Sequence, residues 1–302
     1  MQPGHEKSGK KLLFIFNPHS GRGQIRDNLP DIVDIMCRAG YEVSIYATQC
    51  PGDAEVKAFA GGGEFDRIVC SGGDGTLDEV VSGIMRGGYE IPVGYIPAGT
   101  SNDFAASLRL AQDMKENAGI AVSGHPFACD IGKFNDGYFV YVAAFGLFTG
   151  ASYQTSQELK NIFGHAAYVL EGMRELTDVP SYYIQLDCDG NRIFDEFIYG
   201  MVTNALSVGG FRGLINRPVD LDDGKFEVSL IRRPRNPREL NEIIAYLTGR
   251  RKQCDMIYSL KSSRIRFSCG RPISWTLDGE FGGQVKEALV ENMPQALKII
   301  LP

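Results

Sequence analysis

Residues 67–85 read RIVCSGGDGTLDEVVSGIM and carry three consecutive structural signals. The apolar run 67–70 is typical of a buried strand, and the glycine-rich segment 71–76 follows it directly. Thr76 and Glu79 then have the spacing of a capping box, which predicts the start of a helix. One apolar helix face continues from there, formed by Leu77, Val80, Val81 and Ile84. A strand, a glycine loop and a helix N-terminus in this order suit a phosphate, because the first backbone N–H groups of the helix have no partner within it.

Asp74 is the unusual residue of this loop. A carboxylate beside phosphate oxygens is repulsive unless a cation or a proton lies between them. Since Mg²⁺ takes one or two carboxylates together with phosphate oxygens, Asp74 suggests a magnesium–nucleotide complex. No Gly-Lys-Ser/Thr follows, which excludes a P-loop. A tight turn that uses Gly-Asp-Gly for its dihedral angles is the alternative, and this segment alone leaves both open.

The first part of the chain alternates strand and helix signals, which predicts a mostly parallel sheet. Two further loops of small and polar residues, 17–23 and 97–103, follow strand-like runs, as 71–76 does. Thr100 and Asp103 repeat the cap spacing before another helix. Ligands of parallel sheets bind beyond the carboxyl ends of the strands, so three such loops predict one shared site. We predict a mostly parallel α/β nucleotide-binding domain over residues 1–125.

From residue 126 onward, hairpin signals dominate and predict an antiparallel, β-rich domain over 126–302. A helix is predicted over 152–176. A second helix is predicted over 237–249, with Asn236 as its N-cap and Pro237 at its first position. Separate strands are predicted over 263–269 and 273–277, and a final pair within 285–301. Whether these last strands remain in the second domain or pack back on the first is left open.

Charge and cysteine content narrow the class of protein. The net charge is −6, but residues 1–204 carry 15 Lys and Arg against 26 Asp and Glu, whereas 205–302 carry 16 against 11. The basic runs 232–238 and 250–252 flank the predicted helix 237–249 and suit an anionic lipid surface, although solvated faces are the alternative. Seven scattered Cys without a CxxC pair favour a reducing compartment. No signal peptide or spanning segment is apparent, so we expect a cytoplasmic protein.

Two acidic groups in the second half are candidates for chemistry. Asp220, Asp222 and Asp223 precede a strand, and bunched carboxylates at a turn suit a hard cation such as Mg²⁺. Asp278 and Glu280 flank Gly279 at the end of a strand and offer a general base if they reach the reacting group. A solvated acidic turn and a plain β-turn are the respective alternatives.

Together these segments resemble the diacylglycerol kinase catalytic-domain family, most closely its soluble bacterial members. The resemblance extends from about residue 10 to residue 302. It rests on an ordered set of motifs: NPHSG (17–21), GGDGT (72–76), PAGTSNDF (97–104), TN (203–204) with GGF (209–211), DLDDGKF (220–226) and LDGE (277–280). The GGDGT motif alone is shared with NAD kinases and, loosely, with phosphofructokinases.

The resemblance implies a lipid kinase that uses ATP and Mg²⁺, with an α/β domain followed by an antiparallel β-sandwich. Asp74 would act through the catalytic Mg²⁺. Asp220, Asp223 and the backbone carbonyl of Lys225 would hold a second, structural Mg²⁺. The residues implied to bind the nucleotide are Asn17, Pro18, His19, Ser20, Gly21, Thr48, Gly72, Gly73, Asp74, Gly75, Thr76, Leu77, Asp78, Glu79, Thr100, Asn102 and Asp103.

The resemblance also implies the proton chemistry. Glu280 would accept the proton of the lipid hydroxyl, with Asp278 beside it in the catalytic turn. Asp103 and Asp130 would belong to a supporting acidic network. Asp78 departs from the family pattern, which often has Asn there, and adds negative charge near the phosphates.

The expected reaction is phosphorylation of diacylglycerol to phosphatidic acid at a membrane surface, by a protein that associates with it peripherally. Another lipid alcohol (phosphatidylglycerol, a monoacylglycerol or a sphingoid base) is the first alternative acceptor. NAD kinase activity is the second alternative, and a non-catalytic nucleotide- or lipid-binding regulator is the third. No nucleic acid is expected as a partner, and a homodimer is left open.

Overall fold

The computed structural model describes residues 9–21, 23–147, 180–206, 208 and 219–302. Within these ranges the chain forms two compact units. The first contains the described residues up to Ala128 together with Leu297–Pro302, and the second contains those of Cys129–Ala296. The units therefore divide three residues beyond the predicted boundary at 125/126, and the last six residues belong to the first unit.

The first unit is an α/β unit with a parallel sheet, as the sequence predicts. Its strands lie in the order β2, β1, β3, β4, all parallel, and Ile299 of the last strand pairs in parallel with Val93. The elements are β1 (Lys10–Phe16), α1 (Ile25–Arg38), β2 (Tyr41–Ala47), α2 (Asp53–Gly61), β3 (Arg67–Gly72), α3 (Asp74–Gly87), β4 (Val93–Pro97), α4 (Asp103–Ser107) and α5 (Met114–Ser123).

Burial explains why these segments adopt this arrangement. Five consecutive residues of β1, Leu12–Phe16, are buried, as is typical of a strand covered on both faces. The apolar face predicted for α3 is buried as well, and burying each such side chain contributes about 1.5–3 kcal/mol. A Cβ on Gly83 of α3 would lie 2.3 Å from the carbonyl oxygen of Glu55, so α2 and α3 approach each other closely at this glycine.

Both capping boxes predicted in the first unit are wrong. The N-cap of α3 is Gly73, and Thr76 lies inside the helix rather than before it. The Glu79 carboxylate instead accepts hydrogen bonds from the backbone N–H groups of Gly52 and Ala54, at the start of α2. The N-cap of α4 is Asn102, which makes no side-chain capping bond to the helix. The helix α3 therefore begins before the predicted cap Thr76, whereas α4 begins after the predicted cap Thr100.

The second unit is an antiparallel β structure. Its principal strands lie in the order β11, β10, β9, β7, β12, β13, and β8 also pairs with β9 and β12. The elements are β5 (His125–Phe134), β6 (Gly137–Phe139), β7 (Val142–Gly146), β8 (Tyr182–Cys188), β9 (Asn191–Thr203), β10 (Phe226–Arg232), α6 (Pro237–Leu247), β11 (Ile257–Ser262), β12 (Arg264–Leu277) and β13 (Glu280–Leu301). β5 begins, and β13 ends, in the first unit.

An aromatic cluster forms the core of this unit. The ring of Phe145 lies 4.8 Å from that of Trp275 and 5.9 Å from that of Phe267, in tilted and edge-on arrangements. Such pairs add about 0.5–1.5 kcal/mol beyond the burial of their area. This cluster links strands that are distant in the chain and orders the interior of the second unit.

The strand boundaries differ from the prediction at the end of the chain. The segments predicted as two strands, 263–269 and 273–277, form the single strand β12, which has a register shift between Ser268 and Ile273. The pair predicted within 285–301 is likewise one strand, β13. The helix α6 is confirmed, with Asn236 Oδ1 accepting from the N–H of Glu239. The helix predicted over 152–176 and the motif residues 209–211 lie outside the described residues.

None of the helices within the described part of the chain is long and apolar enough to span a membrane.

Candidate active site

The three loops predicted to share a site meet in the first unit, at the carboxyl ends of β1, β3 and β4. The N–H of Asn17 donates to the Ser71 carbonyl at 2.9 Å, and the N–H of Ala98 donates to the Gly72 carbonyl at 2.8 Å. The N–H of Gly73 donates to the Ser20 hydroxyl oxygen at 3.2 Å. The first and third loops are therefore each hydrogen-bonded to the glycine loop that lies between them.

Glycines allow these loops to approach so closely. A Cβ on Gly21, which has a φ of +57°, would lie 2.3 Å from the Ala98 carbonyl oxygen. A Cβ on Gly99 would lie 2.6 Å from the Cα of Gly73. Any larger residue at either position would push the loops apart. Backbone this close, with little side chain in the way, is what a phosphate chain needs in order to contact N–H groups directly.

Asp74 lies at the first position of α3 within this group of loops. Its carboxylate accepts hydrogen bonds from the N–H groups of Asp103 and Phe104, at 3.2 and 3.4 Å. Tyr95 lies buried nearby and donates its hydroxyl to the Gly72 carbonyl. Burial, and then the negative charge of Asp74, raise the pKa of Tyr95. A carboxylate in this position matches the ligands of Mg²⁺, which takes one or two carboxylates together with phosphate oxygens and water.

The remaining predicted nucleotide residues differ in their accessibility. Thr48 follows β2, and its N–H donates to the Phe16 carbonyl, so it lies at the same edge of the sheet as the three loops. Thr100 is exposed on the third loop, where Asn102 closes the turn by hydrogen bonds in both directions with Gly99. The side chain of Leu77 is buried in the core, which leaves only its backbone for a nucleotide.

Asp130 is the centre of a buried network in the second unit. Its side chain is fully buried. One carboxylate oxygen accepts from the N–H of Gln295 at 2.8 Å, and the other accepts from the N–H of Gly224 at 2.7 Å and from the Asn292 amide at 3.1 Å. The N–H of Asp130 itself donates to the Leu221 carbonyl. The network therefore anchors the acidic turn 220–225. Asp103, the other predicted network residue, is buried in the first unit.

The turn between β12 and β13 separates Asp278 from Glu280. Asp278 is buried, and its carboxylate accepts from three backbone N–H groups, those of residues 140–142, at 2.5–3.0 Å. Asp278 and Gly279 have φ values of +48° and +91°, as a tight hairpin turn requires. Glu280 follows with an exposed side chain. The contacts of Asp278 hold the turn in shape, and Glu280 is presented to solvent at its end.

The acidic turn 220–225, expected to hold a structural Mg²⁺, is in contact with the ammonium group of Lys261. The Nζ of Lys261 lies 2.9 Å from Asp223 Oδ2, 3.9 Å from Asp220 Oδ2 and 3.0 Å from Glu227 Oε1. The other oxygen of Asp223 accepts from the N–H of Lys225 at 3.0 Å. The ammonium of Lys261 therefore lies beside Asp223, one of the residues that the resemblance implies for the metal.

The basic runs beside α6 are less available to a membrane than their composition indicates. Arg232 and Arg233 form ion pairs with Asp195 and Glu196, at 2.7 and 2.8 Å. Their side chains are only 32% and 30% exposed, so both arginines hold loop and strand together. The exposed basic side chains that remain are those of Arg235, Arg238, Arg250, Arg251 and Lys252.

Sequence reasoning missed four residues of these networks: Tyr95, Lys261, Asn292 and Gln295. Tyr95 lies in the middle of the apolar strand β4 and has the pattern of an ordinary core residue. Lys261 meets the acidic turn only because β11 pairs with β10 in the register that places Lys261 opposite Glu227. Gln295 reaches Asp130 across 165 positions of the chain. The alternating pattern of a strand identifies a face but not its partner, so no local signal pointed to these contacts.

Two family descriptions match the chain. Residues 11–134 match the "Diacylglycerol kinase catalytic domain". Residues 144–301 match the "YegS C-terminal NAD kinase beta sandwich-like domain". The first match contains the three loops and Asp74, and the second contains the acidic turn and the turn with Glu280.

Curated relatives and solved structures match over nearly the whole chain. A protein of Staphylococcus carnosus (strain TM300) named diacylglycerol kinase is 33% identical over 296 residues, which are 97% of this chain and 95% of that protein. One of Bacillus subtilis (strain 168), with the same name, is 32% identical over 97% of each chain. A crystal structure from Bacillus anthracis (strain Sterne) shares 25% identity and a TM-score of 0.83, and covers 100% of this chain and 98% of its own.

Proposed function

Because the chain belongs to the diacylglycerol kinase catalytic-domain family and is therefore a lipid kinase, we propose that it uses ATP and Mg²⁺ to phosphorylate diacylglycerol to phosphatidic acid. The hydroxyl oxygen of the lipid attacks the γ-phosphorus, the bond from that phosphorus to the bridging oxygen of ADP breaks, and ADP leaves. The observation that carries this proposal is the meeting of the three glycine-containing loops around Asp74.

The loops supply the positioning that phosphoryl transfer needs, since this reaction depends on orientation and charge neutralisation more than on covalent catalysis. The backbone of 17–21, 73–76 and 99–100 holds the phosphate chain, and the first turn of α3 directs N–H groups towards it. Asp74 would hold the Mg²⁺ that accompanies the nucleotide. When bound, this ion neutralises the negative charge of the phosphates. Thr48 and Asn17 contact the remainder of the nucleotide.

Glu280 accepts the proton of the attacking hydroxyl. Its side chain is exposed and follows a turn that Asp278 fixes through three hydrogen bonds, which supports an accessible carboxylate on a backbone of defined position. A positioned general base contributes about 10²–10⁴-fold to a rate. Asp278 supports the turn and does not itself exchange a proton.

The lipid substrate requires the protein to reach a membrane surface, and we propose a peripheral, reversible association from the cytoplasm. All seven cysteines lie in the described part of the chain and are free thiols, which suits a reducing compartment. Because Arg232 and Arg233 form ion pairs, the exposed group Arg235, Arg250 and Lys252 is the part of the basic runs that we assign to anionic lipid.

Phosphate transfer from labelled ATP in mixed micelles tests this proposal. Diacylglycerol, phosphatidylglycerol, monoacylglycerol and sphingosine are offered separately, NAD is offered in solution, and each reaction is repeated with EDTA. We expect phosphatidic acid from diacylglycerol, and its loss in EDTA. Faster transfer to another lipid would identify that lipid as the substrate instead of diacylglycerol. Transfer to NAD alone would identify the protein as an NAD kinase. ATP binding without transfer to any acceptor would contradict the proposal.

A further inference from the structure

Lys261 lies among three carboxylates of the second unit, in the place where the family resemblance implies a metal ion. It stands on β11 directly opposite Glu227 of β10, and its ammonium contacts Asp223 at 2.9 Å and Glu227 at 3.0 Å. Asp220 is more distant, at 3.9 Å, and its side chain is 64% exposed. The ammonium therefore has two close carboxylate partners and one peripheral partner.

Burial makes this cation necessary to the fold. The Glu227 side chain is only 7% exposed, and the Lys261 ammonium lies 3.0 Å from its Oε1. A carboxylate removed from water is strongly destabilising unless a positive charge accompanies it. Without Lys261, the buried carboxylate of Glu227 would lie near that of Asp223 with no cation between them.

The ammonium of Lys261 disfavours a Mg²⁺ ion at Asp223, because each oxygen of this carboxylate already has a partner. Magnesium needs its ligand oxygens at about 2.0–2.1 Å in nearly octahedral geometry, whereas one oxygen of Asp223 contacts Lys261 and the other accepts from the N–H of Lys225. Two cations at one carboxylate would also repel each other.

We propose that the ammonium of Lys261 is the resident cation of the acidic turn 220–225 and replaces the second, structural Mg²⁺ that the family resemblance implies. The turn is joined to the buried Asp130 through the N–H of Gly224 and the carbonyl of Leu221. Lys261 therefore keeps the Asp130 network in place without a divalent ion. This inference concerns the stability of the second unit and stands apart from the phosphoryl-transfer reaction.

Thermal unfolding of the full-length protein without nucleotide tests the inference, in EDTA and in millimolar MgCl₂. We expect the wild type to have the same Tm in both. Lys261→Met should unfold roughly 5 °C lower in EDTA, because it leaves a buried carboxylate without a cation, and Mg²⁺ should restore part of this loss. Lys298→Met is the matched control, since it removes an exposed pair with Glu90 and should change the Tm by less than about 1 °C.

The wild-type Tm in EDTA and in MgCl₂ tests the inference even if Lys261→Met fails to fold. A rise of several degrees in the wild-type Tm with Mg²⁺ that Asp223→Asn abolishes would overturn the inference, because it would locate a structural metal at Asp223. Equal wild-type values in EDTA and MgCl₂ would support it. Lys261→Arg, which keeps the charge, should remain insensitive to Mg²⁺.

Discussion

Asp278 and Glu280 are separated by a single glycine, yet their surroundings give them different roles. Asp278 is 5% exposed and satisfies three backbone N–H groups of the segment that leads into β7. Glu280 is exposed. The sequence predicts that this turn carries catalytic carboxylates, but it does not separate the two residues, because the partners of Asp278 lie some 137 positions earlier in the chain.

Replacement of Asp278 by Ala should reduce stability strongly. The change leaves three N–H groups without their acceptor, and we expect the free energy of unfolding to fall by about 2–4 kcal/mol. Urea unfolding followed by the fluorescence of Trp275, the single tryptophan and a buried residue of the same unit, measures this.

Asp136→Ala is the matched control, because Asp136 is an exposed Asp in another hairpin turn of that unit. This control should change the free energy of unfolding by no more than about 0.5 kcal/mol. An Asp278→Ala protein of wild-type stability that lost only its turnover would contradict the structural role.

The secondary-structure elements of the first unit follow mostly from local sequence. Apolar runs and helical spacing predicted β1, β3 and α3, because a parallel strand buried on both faces and an amphipathic helix each leave a distinct pattern. The helix starts were predicted less well. Glu79 has the spacing of a capping residue, but it instead binds the start of α2, a neighbour that the local pattern does not reveal.

Replacement by Ala should have opposite effects on stability at Gly83, which lies in the contact between α2 and α3, and at Gly119, which does not. Gly83→Ala would place a Cβ 2.3 Å from the Glu55 carbonyl oxygen, so we expect a loss of about 1–3 kcal/mol despite the better helix propensity of Ala. Gly119 of α5 has open space at its Cβ position, and Gly119→Ala should gain about 0.5–1 kcal/mol.

Circular dichroism during thermal unfolding measures both variants. Since both glycines lie in helices of the first unit, helix propensity alone would raise both melting temperatures. Equal stabilisation by the two substitutions would mean that α2 and α3 are not in close contact at Gly83.

The division into an α/β unit and an antiparallel β unit was predictable from the sequence, because repeated strand–helix alternation and repeated hairpin signals differ clearly. What was not predictable is pairing over long distances. Lys261 joins the acidic turn, and Gln295 joins Asp130, through strand registers that no local signal determines. The same holds for the ion pairs of Arg232 with Asp195 and of Arg233 with Glu196, which leave fewer basic side chains for a membrane than the sequence indicates.

The stability of the second unit should depend on pH through Glu196. Burial favours its neutral form, but the Ser181 hydroxyl and Arg233 outweigh burial and lower the pKa of Glu196 from its ordinary value of 4.5. A carboxyl group with a lowered pKa in the folded state stabilises the protein above the unfolded-state pKa and loses this contribution as the pH falls through the folded-state value.

Urea unfolding at pH 7 and at successive values below pH 4.5 measures this contribution. The wild type should be more stable than Glu196→Gln at pH 7, and this difference should shrink on acidification. Glu287→Gln, at an exposed position of β13, should track the wild type throughout. A difference between wild type and Glu196→Gln that stays constant down to low pH would contradict the ion pair with Arg233.

The most direct test of the proposed chemistry compares Glu280→Gln with the wild type in diacylglycerol-dependent phosphate transfer, with nucleotide binding measured in parallel. We expect kcat to fall at least about 100-fold, because the amide cannot accept the proton of the lipid hydroxyl, while affinity for ATP and the Tm stay unchanged. Glu287→Gln, on the same strand, should keep wild-type kcat. An undiminished kcat in Glu280→Gln would contradict the assignment of Glu280 as the base.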